Sequence, residues 1–315
     1  MSHRKCLECL DRSLKDLLSE RQPLNGSLPF GGLPVVLGGD FRQVLPVMQE
    51  VLDAALCSSP LWHDIRVFSL RINMRLQASG LSPDERDELA EFASWVLNVG
   101  DSVLPPQKRE GDDESSWVCI PPKFLVIGKK NRIAAIVDEI YDSFLECYDK
   151  ASYLADRAIV CPTNSVVDEV NDYITAIIPS EMREYLSADG IAPCSEQVPN
   201  IEELYPVEFL NSIAVLNYPQ HRFYSHYVFE GVVLTGLTVG QSVCVPRIVL
   251  NTSCPRWPFV MQRRQFPVRV CYAMTISKSQ GQTLAKVGLY LTSPMFTHGQ
   301  LYVVISRVTS PRGLR

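Results

Sequence analysis

Hydrophobic residues follow two different periods along this chain. Five leucines between Leu7 and Leu18 stand three or four residues apart with charges between them, which predicts an amphipathic helix over residues 5–19 that packs on a sheet. Short apolar runs at 34–39, 67–70, 158–161 and 268–273 predict strands, of which those at 34–39 and 268–273 are expected to be buried. Helical segments alternating with such strands are typical of an α/β protein.

Further helices are marked by their ends. Ser82 precedes a proline and stands three residues before Glu85, which predicts a capped helix that Gly100 terminates. Residues 131–148 predict a second helix, and 165–177 a third with Asn164 as its N-cap.

Residues 179–260 lack helical periodicity. They are rich in β-branched and aromatic residues, which predicts short antiparallel strands.

Charged residues are distributed unevenly along the chain. Residues 1–208 contain 34 acids and 19 lysines or arginines, a net −15, whereas residues 209–315 contain one acid and 11 basic residues, a net +10. The two parts sum to the chain's −5. A basic C-terminal third favours nucleic-acid binding, although a basic face that docks on the acidic part is the alternative.

The remaining composition limits the class of protein. No run of about 18 uncharged apolar residues is present, so we expect no membrane span and no export signal. Ten scattered cysteines favour reduced thiols, and we interpret Cys6 and Cys9 as packing residues. We find no set of residues at the spacing of a resident metal site.

The most informative stretch is near the C-terminus. Residues 275–283 place hydroxyls, amides, Lys278 and Gly281 in a loop directly after an apolar strand, and residues 299–307 end an apolar run in Arg307. Loops at the carboxyl ends of strands are where open α/β sheets bind phosphates. The residues alone also fit a polar connection followed by a surface arginine.

The amino-acid sequences of residues 275–283 and 299–307 resemble motifs V and VI of the Pif-one family of DNA helicases, in helicase superfamily one. The resemblance implies that Thr275, Lys278, Ser279 and Gln280 hold the nucleic-acid backbone. It also implies that the loop, with Gly281, senses nucleotide. An arginine in the position of Arg307 would reach the γ-phosphate from the second motor domain.

Two earlier segments resemble other motifs of the family. Residues 39–46 read Gly-Asp-Phe-Arg-Gln-Val-Leu-Pro, as in motif III, which implies that Gln43 contacts the γ-phosphate and that Asp40 lies beside the metal and water. Residues 70–76 resemble motif IV, which makes Arg75 a second γ-phosphate arginine. Taken singly, the alternatives are a turn aspartate, a solvated amide and a surface salt bridge.

A third match begins the second motor domain. Residues 157–164 resemble its opening, which implies that Thr163 and Asn164 hold DNA phosphate at a helix N-terminus, with plain capping as the alternative for Asn164. Residues 205–212 match the lead-in to an inserted β-barrel, and residues 213–228 then depart from the family, so we expect an incomplete barrel.

One expected motif is missing from the sequence. The phosphate cradle G-x-x-x-x-G-K-[ST] does not occur, because the one Gly-Lys pair, Gly128-Lys129, is followed by Lys130. No acid pair follows a strand as a magnesium-binding motif would require. By resemblance, we interpret the chain as the C-terminal portion of a helicase, with apolar surface exposed at strands 34–39 and 67–70.

The resemblance implies an α/β fold of tandem RecA-like domains: a truncated first domain at 1–105, a second at 106–212 plus 258–315, and a β-rich insert at 213–257. It implies an ATP-dependent 5′-to-3′ DNA helicase that uses ATP and Mg²⁺, binds single-stranded or forked DNA, and acts in the nucleus in repair, recombination and telomere maintenance. The alternative is a catalytically inactive remnant that binds single-stranded DNA or a protein partner. We expect this chain alone to be a poor ATPase.

Overall fold

A computed structural model describes residues 3–43, 55–77, 80–105, 117–127, 131–179, 183–193, 200–213, 215, 218–225, 230–234, 238–253, 257–293, 295 and 299–315. The chain forms two compact units. Unit 1 comprises residues 1–142, 156–168 and 273–315, and unit 2 comprises residues 143–155 and 169–272. The domain bounds expected from the resemblance differ from these units and stay a prediction.

The described helices are α1 (Arg4–Ser19), α2 (Pro83–Gly100), α3 (Arg132–Ile140), α4 (Phe144–Cys147), α5 (Ala151–Ala155), α6 (Asn164–Ala176), α7 (Ile201–Leu204), α8 (Val207–Ser212) and α9 (Gln300–Ile305). The described strands are β1 (Arg157–Cys161), β2 (Arg183–Leu186), β3 (Ala188–Ile191), β4 (Arg222–Ser225), β5 (Glu230–Val232), β6 (Ser242–Cys244), β7 (Ile248–Ser253), β8 (Val260–Gln265), β9 (Ala273–Thr275) and β10 (Lys286–Leu289). None of the described helices combines the length and apolar character that crossing a bilayer requires.

A parallel sheet forms the core of unit 1, in the order β10-β1-β9. The central strand β1 is buried from Ala158 to Cys161, as its apolar sequence predicts. The strand predicted at 268–273 begins only at Ala273, because the register pairs β1 with residues 273–275. Helix α3 packs so closely on β10 that a Cβ on Gly288 would lie 2.6 Å from Cγ1 of Ile140.

The helix predicted over 131–148 is interrupted. Asn131 caps α3 through its Oδ1, which accepts hydrogen bonds from the amides of Ile133 and Ala134. The helix ends at Ile140, and Ser143 adopts a left-handed conformation with φ 58° before α4. The prediction of one continuous helix was therefore wrong.

The N-terminal helix forms where its leucine spacing predicts it. Leu7 packs against Phe30 and Leu61, which lie in 3₁₀ turns, so the expected packing on a sheet is wrong. Cys6 and Cys9 are exposed, which corrects their interpretation as packing residues.

Two apolar segments of unit 1 lie in none of the described strands. Residues 34–39 were predicted as a buried strand and residues 67–70 as a short strand, yet Val36 is 95% exposed and Leu70 is 100% exposed. The prediction that these segments expose apolar surface is confirmed, and the prediction of burial was wrong. A hydrophobic, β-prone sequence stays exposed when no neighbouring strand covers it.

Unit 2 is built from antiparallel strands, as its sequence predicts. Strand β8 lies between β3 and β7, and β2 pairs with β4. Its apolar core includes Leu210, Tyr218, Phe259 and Met261. The strand β4 lies within residues 213–228, where the sequence departs from the family, so this segment is at least partly built into the unit.

A buried ion pair crosses the core of unit 2. Both side chains of Arg263 and Asp189 are fully buried, and the guanidinium donates Nε to Oδ1 at 2.8 Å and Nη2 to Oδ2 at 2.7 Å. The carbonyls of Leu210, Ile213 and Pro219 accept the remaining donations of the guanidinium. Two charges this deep are tolerated because each is paired and hydrogen-bonded.

Candidate nucleotide and nucleic-acid site

A hydrogen bond joins the motif III segment to α9 within unit 1. The phenol of Tyr302 donates to Oδ2 of Asp40 at 2.6 Å, and Oδ1 of Asp40 accepts from the backbone amide of Arg42 at 3.1 Å. Burial, first, and the hydrogen bond to the Asp40 carboxylate, second, raise the pKa of Tyr302 to about 12. Asp40 is therefore fixed beside the helix that precedes Arg307.

Arg42 extends this contact to the end of α2. Its guanidinium donates Nε to Oδ1 of Asp101 at 2.6 Å and Nη2 to Oδ2 at 3.1 Å. The hydrogen bond to Asp101 raises the pKa of Arg42. Gly100 leaves room for this arrangement, since a Cβ there would lie 2.6 Å from Cδ2 of Tyr302 and 2.8 Å from Cδ of Arg42.

A second hydrogen bond joins motif III to the 275–283 loop. The amide Nε2 of Gln280 donates to Oε1 of Gln43 at 2.6 Å. Both residues line a groove with Asp40 and Gly281, where Gly281 has φ 82° and nothing lies within 4 Å of its Cβ position. The predicted site residues Asp40, Gln43, Gln280 and Gly281 are thus brought together.

The rest of this loop divides into exposed and buried side chains. Lys278 is exposed, whereas Ser279 is buried and its hydroxyl donates to the carbonyl of Ile276 at 2.8 Å. Thr275 is half-buried at the end of β9. In this conformation Ser279 shapes the turn, so its expected contact with nucleic acid would require a rearrangement.

Arg307 lies buried directly after α9. Its Nε donates to the carbonyl of Val303 at 2.8 Å, its Nη1 to the carbonyl of Gln282 at 3.3 Å, and its Nη2 to the hydroxyl of Ser306 at 2.7 Å. Burial is the main cause that lowers the pKa of Arg307. The guanidinium is held by its own segment and by the end of the 275–283 loop.

Arg75 meets the same region from the motif IV segment. Its Nη1 donates to the carbonyl of Val308 at 3.2 Å, and it lines a groove of about 360 Å³ with Arg307 and Tyr302. Gln43 lines the other groove, so the three residues expected at the γ-phosphate do not share one cavity. Tyr302 lines the groove that contains Arg75 and Arg307, and Asp40 lines the groove that contains Gln43. The Tyr302–Asp40 hydrogen bond therefore joins the walls of the two grooves.

Thr163 and Asn164, which were predicted to hold DNA phosphate, lie at the start of α6. The hydroxyl of Thr163 is 3.5 Å from the amide of Val166, and its carbonyl accepts from Val167. Asn164 is the first residue of the helix. Thr163 is therefore the capping residue, and the prediction of Asn164 in that position was wrong by one residue.

Sequence reasoning missed Tyr302, Gly100 and Asp101 as parts of this site. Tyr302 lies in the apolar run before Arg307. Its hydroxyl, a polar group within an apolar run, could have indicated a hydrogen bond to another segment. The sequence predicts Gly100 only as a helix terminator, and it indicated no role for Asp101 at this site. These residues contact each other only because the motif III segment, the end of α2 and α9 meet in the fold, and no local sequence pattern predicts that meeting.

The described residues do not form a magnesium site. Both oxygens of Asp40 already accept hydrogen bonds, from Tyr302 and from the Arg42 amide. Magnesium needs several oxygen ligands in octahedral geometry, and within the described ranges no group of three potential ligand side chains clusters.

The parallel sheet, the polar loop at its carboxyl edge and the arginine after the following helix define an α/β fold with RecA-like character. Among solved structures, a Pif1 helicase from Bacteroides in complex with ADP-AlF3 and ssDNA aligns with the whole chain at a TM-score of 0.56 and 17% identity, over 67% of its own chain. The predicted α/β, RecA-like fold is confirmed.

The sequence comparisons find similarity to PIF1-like helicases. The PIF1-like helicase family matches residues 1–110. The ATP-dependent DNA helicase PIF1 of Danio rerio is 24% identical over 91% of this chain and 41% of its own length. The ATP-dependent DNA helicase PIF6 of Trypanosoma brucei brucei is 35% identical over 26% of this chain and 10% of its own length. The resemblance to PIF1-like helicases is confirmed, and the chain spans about two fifths of the Danio rerio relative.

Proposed function

We propose that this chain is the single-strand-binding and nucleotide-sensing portion of an ATP-dependent DNA helicase that moves 5′ to 3′. The observation that carries the proposal is the hydrogen bond between Gln280 and Gln43. It joins the loop expected to hold DNA to the residue expected to sense the γ-phosphate. A direct contact of this kind lets a change at one ligand alter the other site.

The charge and exposure of the loop support the DNA part of the proposal. Lys278 projects from the surface of a C-terminal third that carries a net +10. Thr275, Gln280 and the exposed backbone around Gly281 offer neutral hydrogen-bonding groups beside that charge. Backbone contacts of this type bind DNA without reading its sequence.

The two arginines support the nucleotide part. Arg75 and Arg307 line one groove, and cations at that place would stabilise the charge that develops during phosphoryl transfer. Arg307 must first exchange its hydrogen bonds to Val303 and Gln282 for phosphate oxygens. We therefore infer that nucleotide binding rearranges the segment after α9.

A second candidate function is a catalytically inactive protein that binds single-stranded DNA or a protein partner. It is favoured by the three hydrogen bonds that hold Arg307 against its own segment. The sequence also lacks the Gly-rich phosphate cradle. If this second function is correct, the purified chain binds single-stranded DNA and hydrolyses ATP slowly or not at all.

Two measurements on the purified chain test these proposals. Fluorescence anisotropy with labelled single-stranded DNA at several salt concentrations should give a steep loss of affinity with salt. Lys278→Ala should weaken binding, whereas Lys123→Ala removes an exposed lysine outside the loop and should not. Binding that ignores both salt and Lys278 would contradict the DNA proposal.

ATP hydrolysis with and without single-stranded DNA separates the two candidate functions. Hydrolysis that DNA stimulates and that Gln43→Ala or Arg307→Lys removes would support the helicase and contradict the inactive protein. DNA binding without hydrolysis supports the second candidate for this chain. Nuclear location and roles in repair, recombination and telomere maintenance are further proposals that follow from the resemblance alone.

A further inference from the structure

Two exposed cysteines share the beginning of α1. Cys6 and Cys9 are both exposed, and no other two of the ten cysteines stand closer than ten residues in the sequence. On an α-helix, residues three apart lie on one face with their Cβ atoms about 5–6 Å apart. The core contact of α1 is made by Leu7 instead, so neither thiol is needed for packing.

The helix is close to the geometry that a disulfide needs. A disulfide requires Cβ atoms about 3.5–4.5 Å apart, so the two side chains must approach by roughly 1–2 Å. A 3₁₀ turn provides this approach, because side chains three residues apart eclipse in it. The start of α1 already contains one hydrogen bond of this kind, since the amide of Cys6 donates to the carbonyl of His3 at 2.9 Å. Tightening the next turn in the same way brings Cys6 and Cys9 together.

Cys6 also forms part of a groove wall in unit 1. Cys6 and Leu7 line a groove of about 580 Å³ together with Gln43 and Gln280. Leu7 lies between the two cysteines in the sequence and is only 6% exposed. A tighter turn changes the direction of each side chain in it, so closing the pair moves Cys6 and Leu7 relative to the Gln43–Gln280 hydrogen bond.

We propose that Cys6 and Cys9 are a redox-sensitive pair that closes to a disulfide by exchange with a small disulfide such as oxidised glutathione, and that this closure reshapes the groove wall. The thiolate of one cysteine attacks the small disulfide and releases one glutathione, which leaves the protein sulfur in a mixed disulfide. The second thiolate attacks that protein sulfur and releases the other glutathione. Two protein thiols are oxidised, one glutathione disulfide is reduced to two thiols, and the two protein protons pass to the glutathione thiolates.

The position of the pair favours this exchange over simple capping of each thiol. Both thiols are exposed, so a small disulfide reaches them. Because they share one helical turn, the second thiol meets the mixed disulfide without any approach of distant segments. Cys119 is exposed as well, but its nearest cysteine in the sequence is the distant Cys147, so exchange there should stop at the mixed disulfide.

Mass spectrometry on the purified chain tests for the disulfide. The protein is equilibrated with mixtures of reduced and oxidised glutathione, alkylated and cleaved with trypsin, which yields residues 6–12 as one peptide with both cysteines. We expect this peptide to lose two hydrogen atoms as the share of oxidised glutathione rises. Cys9→Ser should replace the disulfide by a glutathione adduct on Cys6. Cys57→Ser removes the exposed thiol of the 3₁₀ turn at 56–58 and should leave the Cys6–Cys9 disulfide unchanged.

Hydrogen exchange tests the effect on the groove wall. The amides of residues 7–10 should exchange about tenfold faster in the oxidised chain than in the reduced chain, because the tightened turn breaks α-helical hydrogen bonds. Cys9→Ser in the same glutathione mixture should show no such change. An oxidised chain in which these amides exchange as in the reduced chain would exclude the change in the wall.

The mass-spectrometric outcomes that overturn the proposal are equally specific. They are alkylation of both thiols at every glutathione ratio, two glutathione adducts on the 6–12 peptide, or a bond from Cys6 to Cys57. Neither measurement involves DNA or ATP, so failure of the redox pair and failure of the proposed function are told apart.

Discussion

The hydroxyl of Tyr302 donates a hydrogen bond to the carboxylate of Asp40 across 2.6 Å, joining two residues that are 262 positions apart in the chain. Tyr302 is 7% exposed, and its ring packs against the Gly100 backbone. The contact lies between the grooves that contain Gln43 and Arg307. This hydrogen bond therefore helps to fix the position of one groove relative to the other.

Tyr302→Phe removes this hydrogen bond and keeps the ring. We expect a loss of about 1 kcal/mol in the free energy of unfolding, because Asp40 keeps partial access to water. Urea denaturation at neutral pH measures the loss. A free energy of unfolding equal to that of wild type would contradict a stabilising role for the bond.

The same pair predicts a dependence on alkaline pH. The folded-state pKa of Tyr302 is raised to about 12 from an unfolded value near 10, so its contribution to stability is complete below pH 10 and is lost as the pH rises toward 12. The difference in unfolding free energy between wild type and Tyr302→Phe should therefore shrink above pH 10. Tyr218, whose pKa is also raised to about 12, is present in both proteins and cancels.

Gly100→Ala should destabilise unit 1. The new methyl would lie 2.6 Å from the ring of Tyr302 and 2.8 Å from Arg42, and relieving such overpacking costs roughly 1–3 kcal/mol. Gly38→Ala is the matched control, because nothing lies within 4 Å of its Cβ position. Thermal unfolding of both variants measures the effect, and equal melting temperatures would contradict the close packing.

Asp189→Asn should strongly destabilise unit 2. It leaves the fully buried guanidinium of Arg263 without its counter-charge, at a cost of about 3–5 kcal/mol. Hydrogen exchange of the β3 and β8 amides measures the change where it occurs. Glu184→Gln is the control, since the Glu184–Arg222 pair is largely exposed and should contribute less than about 1 kcal/mol.

Replacing Val36 and Leu70 by lysine should reduce aggregation without loss of stability. Both side chains are almost fully exposed, so their substitution should change the free energy of unfolding by no more than about 0.5 kcal/mol. Exposed hydrophobic segments promote association between chains, and a lysine opposes it. Light scattering during incubation measures aggregation, and Ile159→Lys in the buried strand β1 is the contrasting variant that should not fold.

Part of this fold follows from local sequence. The capping box of Ser82 and Glu85 forms as predicted, and so does β1, because each depends on neighbouring residues or on a fully apolar run. The motif resemblance names Gln43 and Gln280 as site residues, but their hydrogen bond to each other was not predicted. The roles of these residues in binding stay predictions.

Other features depend on distant partners and could not be read from the sequence. Val36 has the pattern of a buried strand, yet its burial requires neighbours that the described structure does not provide. Arg307 makes two hydrogen bonds to its own segment, whereas its hydrogen bond to the Gln282 carbonyl depends on the packing of two separate segments, which no local pattern predicts. The Arg263–Asp189 pair joins β8 to β3, and no local rule predicts a buried charge there.

The order β10-β1-β9 has a consequence for synthesis on the ribosome. The middle strand ends at Cys161, whereas its neighbours begin only at Ala273 and Lys286, after most of unit 2 has been translated. Nascent chains must therefore keep Ile159 and Val160 protected while the intervening β-rich segment matures. A chaperone that recognises short aliphatic stretches could bind this strand until residues 273–289 have been translated.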